Sequence, residues 1–153
     1  MRVMLGKLDY LSKSPNVRIF TGNPVITKAG KVVMGAGAAK VVRDGYAGID
    51  GEFAKQLRSK PNANLLYVNT PRGCIGWLKV KKHWKDDADL QLIYASLVEL
   101  AATAKTNEHV EFDINMPGIG NGRLSVELVS GVLLSAELPN NVTVWTTVPV
   151  VGY

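Results

Sequence analysis

The sequence predicts one α/β domain, with helices on both faces of a mixed central sheet. Strand-like and helix-like segments alternate along the 153 residues, and the second half repeats the order strand, loop, helix, strand, which favours parallel strands joined by crossover helices. The length corresponds to a single domain over residues 1–153. Apolar residues make up 46% and charged residues 20% of the chain, which excludes a disordered or collagen-like protein.

The first half contains short β-prone runs followed by two helical segments. The β-prone runs lie at residues 2–8, 17–20 and 24–33, the last interrupted by a loop or hairpin turn. A helix is expected from Gly35, where the chain becomes rich in alanine. A second helix is expected over residues 49–58, because Pro61 disfavours its continuation.

The next segments predict a hairpin and a longer helix. Residues 65–69 and 74–80 are β-prone and are joined by a Thr-Pro-Arg-Gly turn. The helix that follows has apolar residues at steps of three and four from Leu90 to Ala104. Either Asp86 or Asp87 can cap its first turn.

The last third predicts a strand, a glycine-rich loop, a helix and a final strand. The strands are expected at residues 109–115 and 142–147, and the helix at residues 124–138, where Pro139 stops it. All connections between these elements are short, so the sequence predicts a compact unit without a linker.

The net charge and the cysteine content indicate which ligands are favoured and whether a disulfide or a metal site is expected. Eighteen Lys and Arg against thirteen Asp and Glu give a net charge of +5, which favours an anionic ligand or partner. Cys74 is the only cysteine and the histidines are His83 and His109, so neither a disulfide nor a structural metal site is expected. Without a signal-peptide pattern or a run of about 20 apolar residues, a cytoplasmic location is expected.

Two glycine-rich segments carry the strongest signal. The first glycine loop, Met34–Ala39, and the second glycine loop, Pro117–Gly122, each follow a β-prone run and lead into a helix. Such a loop exposes backbone N–H groups at a positive helix terminus and so binds phosphate. Glycine also closes ordinary turns, but two such loops in one small domain favour opposite walls of a cleft for a diphosphate.

Other phosphate-binding and hydrolytic motifs do not fit. Neither loop continues into Gly-Lys-Ser/Thr, which excludes a P-loop. The first loop lacks the full Gly-x-Gly-x-x-Gly pattern with its acidic partner, which argues against a dinucleotide site. There is no Gly-x-Ser-x-Gly elbow.

Three blocks together resemble the macro domain family. They are the first glycine loop, the segment Lys81-Lys82-His83-Trp84, and Asn115 to Leu124, which includes the second glycine loop. The resemblance is strongest to the branch of terminal ADP-ribose protein glycohydrolases and of antitoxins that remove ADP-ribose from DNA. It extends from about residue 23 to residue 145, most of the chain.

The resemblance implies a three-layer α/β/α domain with an ADP-ribose cleft at the carboxyl ends of its strands. It implies that the glycine loops enclose the diphosphate and the distal ribose. No cofactor or metal is expected, and the protein is expected to be a monomer. The ligand-binding residues that it implies are Asp9, Asn23, Met34, Gly35, Ala36, Gly37, Ala38, Pro117, Gly118, Ile119, Gly120, Asn121, Gly122 and Trp145. A core aromatic on the last strand is the alternative for Trp145.

Lys81 is the candidate catalytic residue. The resemblance implies that a lysine at this position attacks the anomeric carbon of the distal ribose. A nucleophilic lysine needs a lowered pKa, and crowding by Lys79, Lys82 and Lys85 acts in that direction. The alternative is that these lysines form a solvated basic face.

Three departures from the family pattern bear on the site. Gly6-Lys7-Leu8 stands where the family has Gly-Asp-Ile or Gly-Asp-Leu, whose Asp binds the adenine amino group, and Asp9 is the candidate substitute. Gly122 stands where the protein-directed glycohydrolases have Asp, as in the DNA-directed antitoxins. Asn23 lies several residues earlier than the family's asparagine.

The sequence therefore predicts a protein that binds ADP-ribose or a close derivative and hydrolyses an ADP-ribosyl linkage on nucleic acid or protein. The alternatives are a non-catalytic module that binds or sequesters ADP-ribose, and an ADP-ribose 1″-phosphate phosphatase. Nucleic acid is a candidate partner because the lysines of residues 79–85 are interleaved with Trp77 and Trp84. Alternatively, these lysines only solubilise the domain and the tryptophans belong to the core.

Overall fold

A computed structural model describes all residues from Met1 to Tyr153. The chain forms six strands and four α-helices around one sheet, with the strand order β1-β6-β5-β2-β4-β3. The strands are β1 (Arg2–Leu5), β2 (Val17–Gly22), β3 (Leu65–Thr70), β4 (Gly73–Lys79), β5 (Phe112–Asn115) and β6 (Val142–Thr146). The helices are α1 (Gly37–Gly45), α2 (Ile49–Ser59), α3 (Leu90–Lys105) and α4 (Val126–Ser135).

The sheet is mixed, as predicted. The hairpin pair β3 and β4 is antiparallel, whereas every other pair of neighbours is parallel. The carboxyl ends of the five mutually parallel strands therefore lie on one edge. The loops that follow β1, β2, β4, β5 and β6 meet there.

Two apolar cores lie on opposite faces of the sheet. Ile19 and Phe20 are consecutive in β2 and both fully buried, so they point to different faces. Ile19 packs in the core under α3 and α4, which includes Leu97 and Leu133. Phe20 packs in the core under α1 and α2, where its ring meets that of Phe53 edge to face at 5.5 Å. The three-layer arrangement is thus confirmed.

The start of α3 differs from the sequence prediction. Asp89, not Asp86 or Asp87, is its N-cap, and the Asp89 carboxylate accepts hydrogen bonds from the backbone N–H groups of Gln91 at 2.9 Å and Leu92 at 3.2 Å. The two earlier aspartates lie in the preceding irregular segment. The prediction of Asp86 or Asp87 was wrong, because the N-cap lies immediately before Leu90, the first residue of the apolar pattern.

Several other elements are shorter than predicted. Helix α4 spans ten residues because Ser125 caps its start and Glu137 adopts a left-handed conformation, with φ of 53°, beyond its end. In residues 24–33 the β-structure is limited to one antiparallel bridge between Ile26 and Val32, which closes the predicted hairpin turn. No helix has the length and apolar character that a membrane span requires.

Candidate functional site

A cleft of about 1240 Å³ opens at the carboxyl edge of the parallel strands. The loops after β1, β2, β4, β5 and β6 all contribute to it, as does the start of α1. Both glycine loops line it, so the structure brings together the two segments that the sequence singled out.

The first glycine loop presents a helix start without a side-chain cap. Ala36 occupies the N-cap position of α1 in an extended conformation, and no side chain accepts a hydrogen bond from the first turn. Gly37 has φ of 58°, a conformation that glycine adopts without strain. Met34 is buried in the core beneath the loop. The uncapped N–H groups of α1 are therefore available to an anion in the cleft.

The second glycine loop is held tightly against α3. Gly118 has φ of 79°, and a Cβ atom there would lie 2.6 Å from Cδ1 of Ile93. Gly120 to Gly122 form a single 3₁₀ turn, and the Leu124 N–H closes the loop on the Gly118 carbonyl at 2.9 Å. A side chain at Gly118 would strain its backbone and push Ile93 aside, so glycine at this position allows the close packing of the loop on α3.

Gly122 leaves no room for the carboxylate found in protein-directed glycohydrolases. A Cβ atom at this residue would lie 2.9 Å from Cβ of Ala88. The Ala88 N–H also donates to the Gly122 carbonyl at 2.9 Å, which holds the two backbones together. The acid is thus sterically disfavoured as well as missing.

Lys81 lies at the end of the cleft that follows β4. Its ammonium group donates to the backbone carbonyls of Asp86 at 3.1 Å and Asn121 at 3.4 Å. Partial burial lowers its pKa, and the nearby Arg123 guanidinium lowers it further, whereas Asp87 and Asp86 raise it. The predicted direction of the shift is right, but the cause is different. Burial and Arg123 lower this pKa, in place of the three neighbouring lysines.

The cleft is lined by cations and neutral groups only. Lys7, Lys81 and Arg123 contribute to its wall, and no Asp or Glu does. Lys7 and Arg123 were not among the predicted site residues. The sequence signal for Lys7 is its position next to Gly6, and the signal for Arg123 is its position directly after the second glycine loop. This lining suits an anionic ligand.

Two predicted ligand residues lie outside the cleft lining, Asp9 and Pro117. The Asp9 carboxylate accepts hydrogen bonds from the backbone N–H groups of Leu11 at 2.8 Å and Ser12 at 3.2 Å. Hydrogen bonds from Ser12 and Leu11 lower its pKa. The structure therefore turns Asp9 to its own loop, and Pro117 is buried at the base of the second glycine loop.

Asn23 lines the cleft, but its amide is already engaged. Its Oδ1 accepts from the Val25 N–H at 3.0 Å and its Nδ2 donates to the Val33 carbonyl at 3.3 Å. These bonds tie the end of β2 to the segment that leads into the first glycine loop. Asn23 thus organises the wall of the cleft.

Trp145 lies half-buried on β6 and lines the cleft. Its Nε1 donates to the buried Asp113 carboxylate at 3.3 Å, and its ring lies beside Gly6. The indole is thus anchored at its polar edge and contributes apolar surface to the cleft. Tyr10 similarly reaches the cleft, where its hydroxyl lies 2.8 Å from Oδ1 of Asn115.

The two tryptophans of the lysine-rich segment have different environments. Trp77 is fully buried in the core, so its predicted role in stacking on nucleic acid is wrong. Trp84 is 49% exposed and lines the cleft mouth. The Lys85 ammonium lies 5.3 Å from the centre of its ring, and the centre of the His83 ring also lies 5.3 Å from the centre of the Trp84 ring.

Solved structures with the same architecture match nearly the whole chain. The macrodomain of Mycobacterium tuberculosis DarG is 25% identical, with a TM-score of 0.74 over 94% of this chain and 97% of that chain. The macrodomain of Thermus aquaticus DarG is 22% identical, with a TM-score of 0.73 and 97% of each chain covered. Thermosipho africanus DarTG in complex with ADP-ribose is 18% identical, with a TM-score of 0.73. That match covers 95% of this chain but 41% of the DarTG chain. No protein-family model and no curated protein sequence matches the chain.

Proposed function

We propose that this chain, which has the macrodomain fold, binds ADP-ribose or a close derivative in the cleft between its two glycine loops. The observation that carries the proposal is the uncapped start of α1 facing a cleft that is lined without a single carboxylate. A diphosphate takes its hydrogen bonds from these backbone N–H groups and is not repelled by any acidic side chain.

The dimensions of the cleft suit an extended ligand with two ends. It reaches from Lys7, after β1, to Lys81, after β4. The strand order separates these two strands by four spacings, or about 19 Å. The nucleoside lies toward Trp145, the diphosphate lies between the glycine loops, and the distal ribose points to Lys81.

We further propose that the protein hydrolyses an ADP-ribosyl linkage, with Lys81 as the catalytic residue. Its deprotonated amine attacks the anomeric carbon of the distal ribose, and the departing group takes the electrons of the broken bond. The proton that the nitrogen loses on attack leaves with the departing group. Water then adds its hydroxyl to the anomeric carbon and its proton to the lysine nitrogen, which breaks the bond to Lys81 and releases ADP-ribose. Support comes from the position of Lys81 in the cleft and from its lowered pKa, which increases the fraction of neutral amine.

The competing function is a non-catalytic module that binds ADP-ribose. The close approach of Gly122 to Ala88 favours it, because no carboxylate can assist the reaction from residue 122. No acidic residue elsewhere lines the cleft. Under this alternative, Lys81 contributes only charge to binding.

Nucleic acid is the proposed carrier of the modification. The exposed Trp84 beside Lys85 offers a stacking surface with an adjacent cation at the mouth of the cleft, where the group attached to the distal ribose emerges. Such a combination suits an unpaired strand.

The deciding experiment measures ADP-ribose release from ADP-ribosylated single-stranded DNA and from ADP-ribosylated protein. Lys81→Ala is expected to slow release by roughly 100-fold or more, whereas Lys60→Ala, which changes an exposed lysine at the end of α2 and outside the cleft lining, retains most of the rate. Calorimetry with ADP-ribose establishes binding in both variants. Equal release by wild type and Lys81→Ala would exclude catalysis by Lys81, and no heat with ADP-ribose at millimolar concentration would exclude the binding function.

A further inference from the structure

The Lys81 ammonium group contacts two loops, the segment between β4 and α3 that carries Lys81 itself and the second glycine loop. One carries the carbonyl of Asp86 and the other the carbonyl of Asn121, and both accept hydrogen bonds from its ammonium group. The relative position of these two loops therefore sets where the Lys81 nitrogen lies in the cleft.

Arg123 makes two further connections between the same loops. It follows the second glycine loop in a left-handed conformation, with φ of 60°. Its Nη2 donates to the Lys85 carbonyl at 3.1 Å, and its Nε pairs with the Asp87 carboxylate. The guanidinium thus holds both residues that flank Asp86.

We propose that Arg123 is a positioning residue for Lys81: it fixes the loop whose Asp86 carbonyl holds the Lys81 nitrogen, and it keeps a second positive charge beside that nitrogen. This inference rests on the proposed function of Lys81 for its catalytic meaning. The effects of Arg123 on the position of the Lys81 nitrogen and on the charge beside it can be tested without a substrate.

Arg123 and Asp87 are paired with each other but act on Lys81 in opposite directions. Burial is the largest cause of the lowered pKa of Lys81, and the Arg123 charge is the next. The carboxylates of Asp87 and Asp86, on the same loop as Lys81, raise this pKa. Removing Arg123 should therefore raise the pKa, and removing the charge of Asp87 should lower it.

Because Arg123 and Asp87 shift the pKa of Lys81 in opposite directions, variants of the two residues can show whether the charge of Arg123 acts on Lys81 or whether Arg123 only holds the loops together. Both Arg123→Gln and Asp87→Asn break the same ion pair. If Arg123 only holds the loops together, the reactivity of the Lys81 amine should change in the same direction in both variants. A role that includes the charge of Arg123 changes it in opposite ways.

The test measures the reactivity of the Lys81 amine in the whole chain without ligand. Acetic anhydride is applied at trace concentration over a range of pH, and acetylation at Lys81 is quantified by mass spectrometry relative to Lys82 in the same molecule. Near pH 8, Arg123→Gln is expected to lower the reactivity by roughly threefold and Asp87→Asn to raise it by a similar factor. Arg123→Lys keeps the charge but cannot reproduce both guanidinium contacts, so the reactivity of Lys81 in this variant should lie between those of Arg123→Gln and wild type.

Changes in the same direction in both variants, or no change in Arg123→Gln, would overturn the inference. Thermal unfolding of each variant checks that the fold is intact. The pH profile of ADP-ribose release in the same variants then separates the two proposals. If reactivity shifts as expected while Lys81→Ala still releases ADP-ribose normally, Arg123 positions Lys81 but catalysis by Lys81 is wrong.

Discussion

The side chain of Asn121, in the second glycine loop, lies directly beside Gly37 at the start of α1. A Cβ atom at Gly37 would lie 2.9 Å from the side-chain nitrogen of Asn121. The two walls of the cleft can approach this closely only because residue 37 has no side chain.

This arrangement predicts that a side chain at residue 37 weakens ligand binding, whereas a side chain at a glycine outside the cleft does not. Gly37→Ala forces Asn121 to move and strains a backbone with φ of 58°, so ADP-ribose affinity should fall by roughly tenfold or more. Gly37→Glu should abolish binding, because it adds a negative charge beside the diphosphate. Gly51→Ala, in α2 and outside the cleft lining, is the matched control, since nothing lies within 4 Å of its Cβ position. Calorimetry compares the three variants, and wild-type affinity in Gly37→Ala would contradict the proposed ligand position.

The contact between Gly122 and Ala88 predicts that restoring the acid of the protein-directed glycohydrolases is harmful. Gly122→Asp should lower the free energy of unfolding by about 1–3 kcal/mol, because its Cβ overpacks against Ala88. In an Ala88→Gly background the loss due to Gly122→Asp should be smaller. Urea unfolding of the four proteins measures the coupling, and additive losses would show that the two residues do not compete for space.

The capping of α3 predicts unequal effects for two nearby aspartates. Asp89→Ala should lower the free energy of unfolding by about 1 kcal/mol, because two N–H groups lose their acceptor. Asp86→Ala removes an exposed carboxylate from an irregular segment and should change stability by less than about 0.5 kcal/mol. Urea unfolding measures the stability of both variants. A larger loss of stability in Asp86→Ala than in Asp89→Ala would contradict the assignment of Asp89 as the cap.

The exposed lysines beside Trp84 predict a salt-dependent interaction with single-stranded DNA. Replacing both Lys82 and Lys85 with Ala should reduce the slope of log affinity against log salt by about 1.4, if each contacts one phosphate. Affinity for free ADP-ribose should be nearly unchanged. Fluorescence polarisation at several salt concentrations measures the slope. Binding that is undetectable at low salt, or independent of salt, would leave only a solubilising role for these lysines.

Much of the fold could be predicted because its signals are local. Alternation of β-prone and helical segments placed all six strands and four helices, and Thr-Pro-Arg-Gly marked the hairpin between β3 and β4. The ends of the elements were less accurate. The cap of α3 was predicted at Asp86 or Asp87, whereas the helix begins at Leu90 and Asp89 caps it, so the predicted start was two to three residues early.

In the site too, features that depend on neighbouring residues could be predicted from the sequence, whereas features that depend on contacts between distant segments could not. The sequence by itself determined the two glycine loops, since a glycine-rich turn between strand and helix is a local pattern, and it determined that parallel strands bring these loops to one edge. Only the tertiary structure decided that Lys7 lines the cleft while Asp9 turns away, and that Trp77 is buried while Trp84 is exposed. It also decided that Arg123, 42 positions after Lys81 in the chain, lowers the pKa of that lysine. Burial and electrostatic interaction depend on distances between segments far apart in sequence, which local patterns do not encode.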